Sequence, residues 1–149
     1  FNVINGMPEL TSVNDNLKTF FYFTEFPLDG QLVSLYALEN KIIRPKYDEP
    51  RIHFALNCAS TSCPKLPNVA FKPEILESQL AKETAFFLSE NRNVNEEDGQ
   101  LVLSTIFKWY KEDFKPTPVE WIKRQAPDIK IPEPTVVRFR PYDWSLNAQ

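Results

Sequence analysis

The residues best suited to chemistry are gathered in one stretch, RIHFALNCASTSCPKL, which runs from Arg51 to Leu66. It contains the only histidine of the chain, His53, and both of its cysteines, Cys58 and Cys63. An imidazole can act as a general base near neutral pH, and a thiolate is a strong nucleophile. The stretch therefore predicts a nucleophilic site in which His53 activates a thiol.

Strand geometry bears on which cysteine pairs with His53. The apolar run from Ile52 to Asn57 predicts a buried strand that ends in a loop. Side chains of a strand alternate between its two faces, so His53 and Cys58 are expected on opposite sides. Cys63 follows a loop of small polar residues that can fold back toward either face. This geometry favours Cys63 over Cys58.

Three other interpretations of the stretch remain open. His53 can be a hydrogen-bonded residue of the core without any chemical role. Cys58 and Cys63 can form a disulfide in an oxidising compartment, and neither sulfur is then a nucleophile. The same three residues are also zinc-type ligands, but their spacing matches no zinc signature. We therefore predict neither a metal nor any other cofactor.

Composition limits the partners. The chain has 149 residues, of which 42% are hydrophobic and 13% aromatic, and this predicts one domain over residues 1–149. The net charge of -3 and the lack of a basic run argue against nucleic acid. No apolar run reaches the roughly 18 residues that a membrane span requires. The expected partner is a small-molecule or peptide substrate.

The elements that position the stretch from Arg51 to Leu66 are strands and helices in no regular alternation. Asp29-Gly30 predicts a tight hairpin turn after an aromatic strand that starts at Lys18. Residues 34–45 and 73–90 have apolar side chains at helical spacing. The acidic residues 93–100 are interpreted as a solvated loop.

Later residues complete the predicted elements. A strand at 101–103 is followed by a helix that Ser104 begins, and Thr117 with Pro118 predicts the start of another. Residues 135–140 alternate as a half-buried strand does. The pattern predicts the α+β class, with a small, mostly antiparallel sheet packed against several helices.

Three motifs in a fixed order, RIHFALNCASTSCPKL, STIFKWYKEDF and YDWSLN, resemble the bacterial and plant family known as domain of unknown function 547. The resemblance extends from the region of Phe20 to Asn147. It implies a periplasmic or secreted protein and a fold similar to papain and transglutaminase-like enzymes. In such enzymes a cysteine, a histidine and an acidic or amide residue cooperate. By this resemblance Glu39 and Asp143 join His53 and the two cysteines as site residues.

The chemistry implied is that of a cysteine-dependent hydrolase or acyltransferase. A thiolate formed near His53 attacks a carbonyl carbon, while Glu39 or Asp143 orients the imidazole. Asn57 or loop amides stabilise the oxyanion. The alternative is a non-catalytic binding or scaffold module, with a disulfide between Cys58 and Cys63 and a structural His53.

Two features depart from the family pattern. An aromatic helix motif that opens the family is not found in residues 1–16, which predicts a truncated or processed form. The family's Glu-His pair on the helix before the histidine stretch is Glu39-Asn40 here, so a second histidine is missing.

Overall fold

The structure is a computed structural model that describes residues 12–16 and 18–147, which group into two compact units. The first unit holds the described residues up to Glu49 together with Cys58–Thr61 and residues 143–147. The second holds Pro50–Asn57 and Ser62–Tyr142. Most of the segment predicted to lack the family's first helix, residues 1–16, lies outside the described residues. Within the described ranges, no helix has the length and apolar character needed to cross a bilayer.

The first unit contains a hairpin of two antiparallel strands, β1 (Glu25–Leu28) and β2 (Gln31–Ser34). Its turn residues Asp29 and Gly30 have φ of 48° and 76°, the left-handed conformation that two-residue hairpin turns require. The predicted hairpin is confirmed. The predicted start of its first strand is wrong, because Lys18–Phe23 forms a π-helix. Consecutive aromatic residues there give no period-two alternation to favour a strand.

Helical turns complete the first unit. A 3-10 turn covers Val13–Asn16, before the π-helix already described. After β2 the chain is helical in three successive pieces, Leu35–Ala37 (α), Leu38–Ile43 (π) and Arg44–Lys46 (α). The Ser34 hydroxyl caps the first piece by accepting a hydrogen bond from the Ala37 amide at 3.2 Å. The helix predicted over residues 34–45 is confirmed.

The second unit combines short helices with a three-stranded sheet. Its helices are Ile52–Ala55, the 3-10 turn Pro73–Ile75, Leu76–Ser89, Ile106–Trp109 and Pro118–Gln125. Its strands are β3 (Val94–Glu97), β4 (Gln100–Ser104) and β5 (Val137–Arg140), in the order β3-β4-β5. β3 runs antiparallel to β4, and β5 runs parallel to it. The predicted α+β class with mostly antiparallel pairing is confirmed.

Two predictions for the second unit are wrong. Residues 52–55 form a helical turn instead of a strand, because a short apolar run fits either element and here both His53 and Phe54 are buried from a helix. Side-chain alternation therefore gives no reason to prefer Cys63 over Cys58. The acidic segment expected as a loop contains β3, whose turn residues Asp98 and Gly99 repeat the left-handed pair of the first hairpin.

An aromatic core fills the second unit. Phe54 stacks on Phe87 with ring centroids 4.4 Å apart, so the short helix with His53 packs on the Leu76–Ser89 helix. Phe107 and Phe114 are completely buried beside it. Burial of each such side chain stabilises the fold by about 1.5–3 kcal/mol. The buried members of this core are Phe54, Phe87, Leu88, Val94, Leu101, Leu103, Ile106, Phe107, Phe114, Trp121 and Ile122.

Candidate functional site

His53 forms a partly buried pair with Asp113 of the second unit. Its Nε2 lies 2.7 Å from Oδ2 of Asp113, while its side chain is only 1% exposed and that of Asp113 is 26% exposed. A carboxylate accepts hydrogen bonds and cannot donate one, so Nε2 carries a proton and donates it. In the neutral imidazole the other nitrogen, Nδ1, is then the basic one. The pair fixes both the tautomer and the orientation of the ring.

Aromatic side chains hold the imidazole in place. The Tyr110 ring stacks on His53 with centroids 3.9 Å apart and an interplanar angle of 23°. The Phe114 ring lies against it at 5.6 Å in a tilted arrangement. Tyr110 and Phe114 flank Asp113 in sequence, and the Asp113 amide donates to the Tyr110 carbonyl at 2.9 Å. One turn after the Ile106–Trp109 helix therefore supplies both the carboxylate and the walls of the histidine site.

The helical turn that bears His53 is fastened at its start. Both guanidinium nitrogens Nη1 and Nη2 of Arg51 donate to the Glu77 carboxylate, at 2.6 and 2.8 Å. These hydrogen bonds hold the pKa of Glu77 below its ordinary value. Bidentate pairs of this kind restrict orientation as well as distance. They join the residue before the turn to the first turn of the Leu76–Ser89 helix.

Asn57 links the end of this segment to Cys63. Its side-chain Nδ2 donates to the carbonyl oxygen of Pro64 at 2.5 Å. Asn57 is two residues beyond the His53 turn, and Pro64 directly follows Cys63. The side chain of Cys63 is buried, with 4% of its surface exposed, and its carbonyl oxygen accepts from Nη2 of Arg92 at 3.3 Å. His53, Asn57 and Cys63 thus belong to one compact unit, in which Asn57 fastens the chain beside Cys63.

Cys58 belongs to the first unit, on a loop with unusual backbone geometry. Its sulfur lies 3.1 Å from the hydroxyl of Ser60, which is completely buried. Between them Ala59 has a φ of 63°, a left-handed conformation that is uncommon for a residue with a Cβ. Backbone of this kind persists only where the surroundings enforce it. Cys58 is half-buried and is the more accessible of the two sulfurs.

The last motif of the chain, YDWSLN, is joined to the Cys58 loop by backbone hydrogen bonds. The Asn147 amide donates to the Ala59 carbonyl at 2.8 Å, and the Thr61 amide donates to the Ser145 carbonyl at 2.8 Å. Asp143 in turn fixes Ser145, since its Oδ1 accepts from the Ser145 amide at 2.9 Å and from the hydroxyl at 2.6 Å. These bonds, the hydroxyl's first, lower the pKa of Asp143 from its ordinary value. In this unit Asp143 positions the residues that support Cys58.

Glu39 lies in the π-helical piece of the first unit, where it is half-buried. Its carbonyl oxygen accepts from the Arg44 amide. Asn40, at the position of the family's histidine, accepts from Nη1 of Arg44 at 2.8 Å and donates to the Tyr36 carbonyl at 3.3 Å. Asn40 therefore ties successive helical turns together. The orienting roles of Glu39 and Asp143 and the oxyanion role of Asn57 stay predictions.

Both cysteines are thiols in this structure. Over the part of the chain that the structure describes, no three histidine, cysteine, aspartate or glutamate side chains are grouped so as to hold a metal ion. In the second unit the structure brings together the His53 imidazole and the Asp113 carboxylate, and the Cys63 thiol belongs to the same unit.

A family model described as "Protein of unknown function, DUF547" matches residues 2–88, more than half of the 149 residues. The chain belongs to the DUF547 family. The matched residues include His53, Asn57 and both cysteines, and they end before Asp113. No match was found among the curated proteins or among the solved structures.

Sequence reasoning missed Asp113 in this DUF547 protein. The residue stands inside the motif STIFKWYKEDF, which carries part of the family resemblance, but the sequence predicts only a helix there and gives Asp113 no role. The helix ends at Trp109, so Asp113 lies in the turn that follows it. A useful signal was available in the motif itself, because an acidic residue between Tyr110 and Phe114 would be costly to bury without a partner.

Proposed function

We propose that this DUF547 domain is a cysteine-dependent hydrolase or acyltransferase in which the His53 and Asp113 pair activates a thiol. The observation that supports this proposal is the 2.7 Å contact between the buried imidazole and the carboxylate. In thiol enzymes an acidic or amide residue orients the histidine in the same way. The substrate class is a carbonyl compound, such as an ester, thioester or amide.

The proposed reaction begins with proton transfer from the thiol to Nδ1 of His53. The thiolate attacks the carbonyl carbon, a carbon–sulfur bond forms, and the electron pair of the carbonyl moves to oxygen. When this intermediate collapses, the bond to the leaving group breaks and the leaving group takes the proton from the imidazolium. Water, or an acceptor nucleophile, then releases the acyl group and restores the thiol.

Cys63 is the first candidate for the nucleophile. It shares the second unit with His53 and Asp113, and Asn57 fastens the chain immediately after it. Cys58 of the first unit is the second candidate, since it is more exposed and its sulfur lies 3.1 Å from the Ser60 hydroxyl, either of which can be the donor. Reactive cysteines are commonly those with partial exposure and a partner that stabilises the thiolate.

Acylation by p-nitrophenyl acetate tests the proposal without knowledge of the natural substrate. Since the chain has two cysteines, Cys58→Ser and Cys63→Ser are each single-thiol proteins. We expect a burst of about one p-nitrophenolate per chain in the wild type and in Cys58→Ser, at least roughly a hundredfold faster than for the urea-unfolded chain. The burst should be lost in Cys63→Ser and in His53→Gln.

Different results would overturn the choice of nucleophile and the proposed function. A burst that survives in Cys63→Ser but not in Cys58→Ser would assign the nucleophile to Cys58 and overturn our choice of Cys63. A burst that survives when both cysteines are replaced, or a wild type no faster than its unfolded chain, would overturn the proposed function.

One observation favours the alternative, a binding or scaffold module with a structural histidine. His53 is almost fully buried and stacked on Tyr110, as a residue retained for packing would be. In this alternative the protein acts outside the cytoplasm, as the family resemblance implies, and Cys58 is bonded to Cys63. Titration of thiols in the unfolded, unreduced protein distinguishes the two. Zero thiols favour the module, and two favour the thiol enzyme.

A further inference from the structure

A small cavity lined by several polar side chains opens at one edge of the three-stranded sheet, and the histidine site does not use it. Its enclosed part has a volume of about 30 Å³, and the whole cleft with its mouth is about 260 Å³. The enclosed part has room for about two water-sized groups, because one such group needs about 10–15 Å³. The cavity is lined by Ser62, Arg92, Asn93, Ser104, Thr105, Arg140, Pro141 and Tyr142.

Strand topology brings these residues together. Ser104 and Arg140 are the last residues of the parallel strands β4 and β5, and they are directly paired in the register. Because β3 runs antiparallel to β4, Arg92 and Asn93 just before β3 reach the same edge. The carboxyl ends of parallel strands are where open sheets commonly bind ligands. Asn93 and Ser104 are both buried and both line the cavity, so each can offer it a polar side chain.

The charge at this edge is positive. Arg138 and Arg140 share one acceptor, Glu97, whose carboxylate contacts Nη2 of each guanidinium. Hydrogen bonding from Arg140 and then from Asn95 lowers the pKa of Glu97 from its ordinary value. Two guanidiniums against one carboxylate leave about one positive charge uncompensated. Arg92, which also lines the cavity, is paired with Glu90 at 3.0 Å.

One donor at the cavity, Nε of Arg140, has no acceptor among the described residues. This nitrogen is buried, although the Arg140 side chain lines the cavity. An unsatisfied buried donor of a charged group is unfavourable, and native proteins contain few of them. A planar group with two acceptor oxygens matches the fork of a guanidinium.

We propose that this cavity binds the carboxylate of a small organic acid, with Arg140 as the principal contact and the Ser104 hydroxyl as a second donor. The enclosed volume suits a single carboxylate, whose charge of minus one balances the excess at Glu97, Arg138 and Arg140. The remainder of the acid lies in the wider mouth beside Tyr142. This site does not depend on the proposed thiol chemistry.

Calorimetric titration with acetate tests the proposal, with chloride at equal ionic strength as the reference and inorganic phosphate as the competing anion. We expect saturable acetate binding to the wild type and a dissociation constant at least tenfold higher in Arg140→Gln. Arg138→Gln is the matched control, because Arg138 has the same strand and the same partner but does not line the cavity. It should bind acetate within about twofold of the wild type.

Glu97→Gln keeps the proposal testable even if the arginine variants do not fold. It removes the partner of Arg140 but leaves the guanidinium in place, so acetate should bind at least as tightly as to the wild type. Equal losses in Arg138→Gln and Arg140→Gln would overturn the proposal, because they would indicate charge alone. Tighter binding of phosphate than of acetate, or no saturable binding at all, would also overturn it.

Discussion

Nε2 of His53 and Oδ2 of Asp113 lie 2.7 Å apart although sixty residues separate them in sequence. The contact joins the turn at the start of the RIHFALN stretch to the turn that follows the Ile106–Trp109 helix. In the neutral imidazole this contact makes Nδ1 the basic nitrogen. The thiol hypothesis depends on this arrangement.

Asp113→Asn should destabilise the fold by about 1–2 kcal/mol, since it weakens a charge-assisted hydrogen bond to a buried ring. An asparagine can still occupy the space, but its amide can present a donor to the Nε2 proton. Urea denaturation of both proteins measures the difference in the free energy of unfolding. Glu112→Gln, at the exposed neighbouring position, should change it by less than about 0.5 kcal/mol. Equal effects in the two variants would contradict the pair.

Asn57→Ala should expose the Cys63 thiol. Loss of the hydrogen bond to the Pro64 carbonyl should lower the stability of the closed conformation around Cys63 by about 0.5–1.5 kcal/mol. The open conformation then becomes up to about tenfold more populated. The alkylation rate of Cys63 by iodoacetamide, measured in the Cys58→Ser background, should rise by a similar factor. If the rate does not change, Asn57 does not fasten this segment.

Asp143→Asn should loosen the Cys58 loop instead. Asp143 holds Ser145, whose backbone and hydroxyl contact Thr61. In the Cys63→Ser background, alkylation of Cys58 should become severalfold faster, whereas Cys63 in the Cys58→Ser background should be unaffected. Acceleration of both thiols would show general destabilisation and would contradict a local role for Asp143.

Acid should weaken the sheet through Glu97. Its pKa in the folded protein is below the ordinary 4.5, chiefly through the hydrogen bond from Arg140, so folding favours its ionised form. This stabilisation is complete above the unfolded pKa and is lost as the pH falls through the lower, folded value. Glu97→Gln should therefore have a free energy of unfolding that falls less than that of the wild type between pH 5 and pH 3, as urea titrations measure. Parallel curves would contradict the assignment.

Local chemistry explains which elements could be predicted from the sequence. The Asp29-Gly30 turn and the Thr117 cap were correctly placed, because the residue type itself determines the backbone there, and Thr117 does accept from the Glu120 amide. The helical turn at His53 was predicted as a strand, because a short apolar run fits a strand or a helix equally well. Burial of Phe54 favours the helix here. Asp98-Gly99 was overlooked because its flanking residues are acidic.

Some residues of the candidate site could likewise be predicted from the sequence, and others could not. His53, Asn57 and the cysteines were found because they are neighbours in sequence and rare in this chain. Asp113 could not be assigned to His53, because their contact is made by tertiary packing of Tyr110 and Phe114 around the ring. The cavity was also missed, since it is formed where β4 and β5 end and β3 begins, and β3 lies in a segment interpreted as a loop.

The pH dependence of thiol alkylation tests the central claim most directly, and it needs no substrate. Between pH 8.5 and pH 6 an ordinary thiol loses thiolate, and therefore reactivity, by roughly a hundredfold. We predict that one single-thiol protein, Cys58→Ser, loses less than about tenfold over this interval, and that adding His53→Gln restores the ordinary steep loss. A steep loss in both single-thiol proteins, unchanged by His53→Gln, would contradict activation of a thiol by His53 and Asp113.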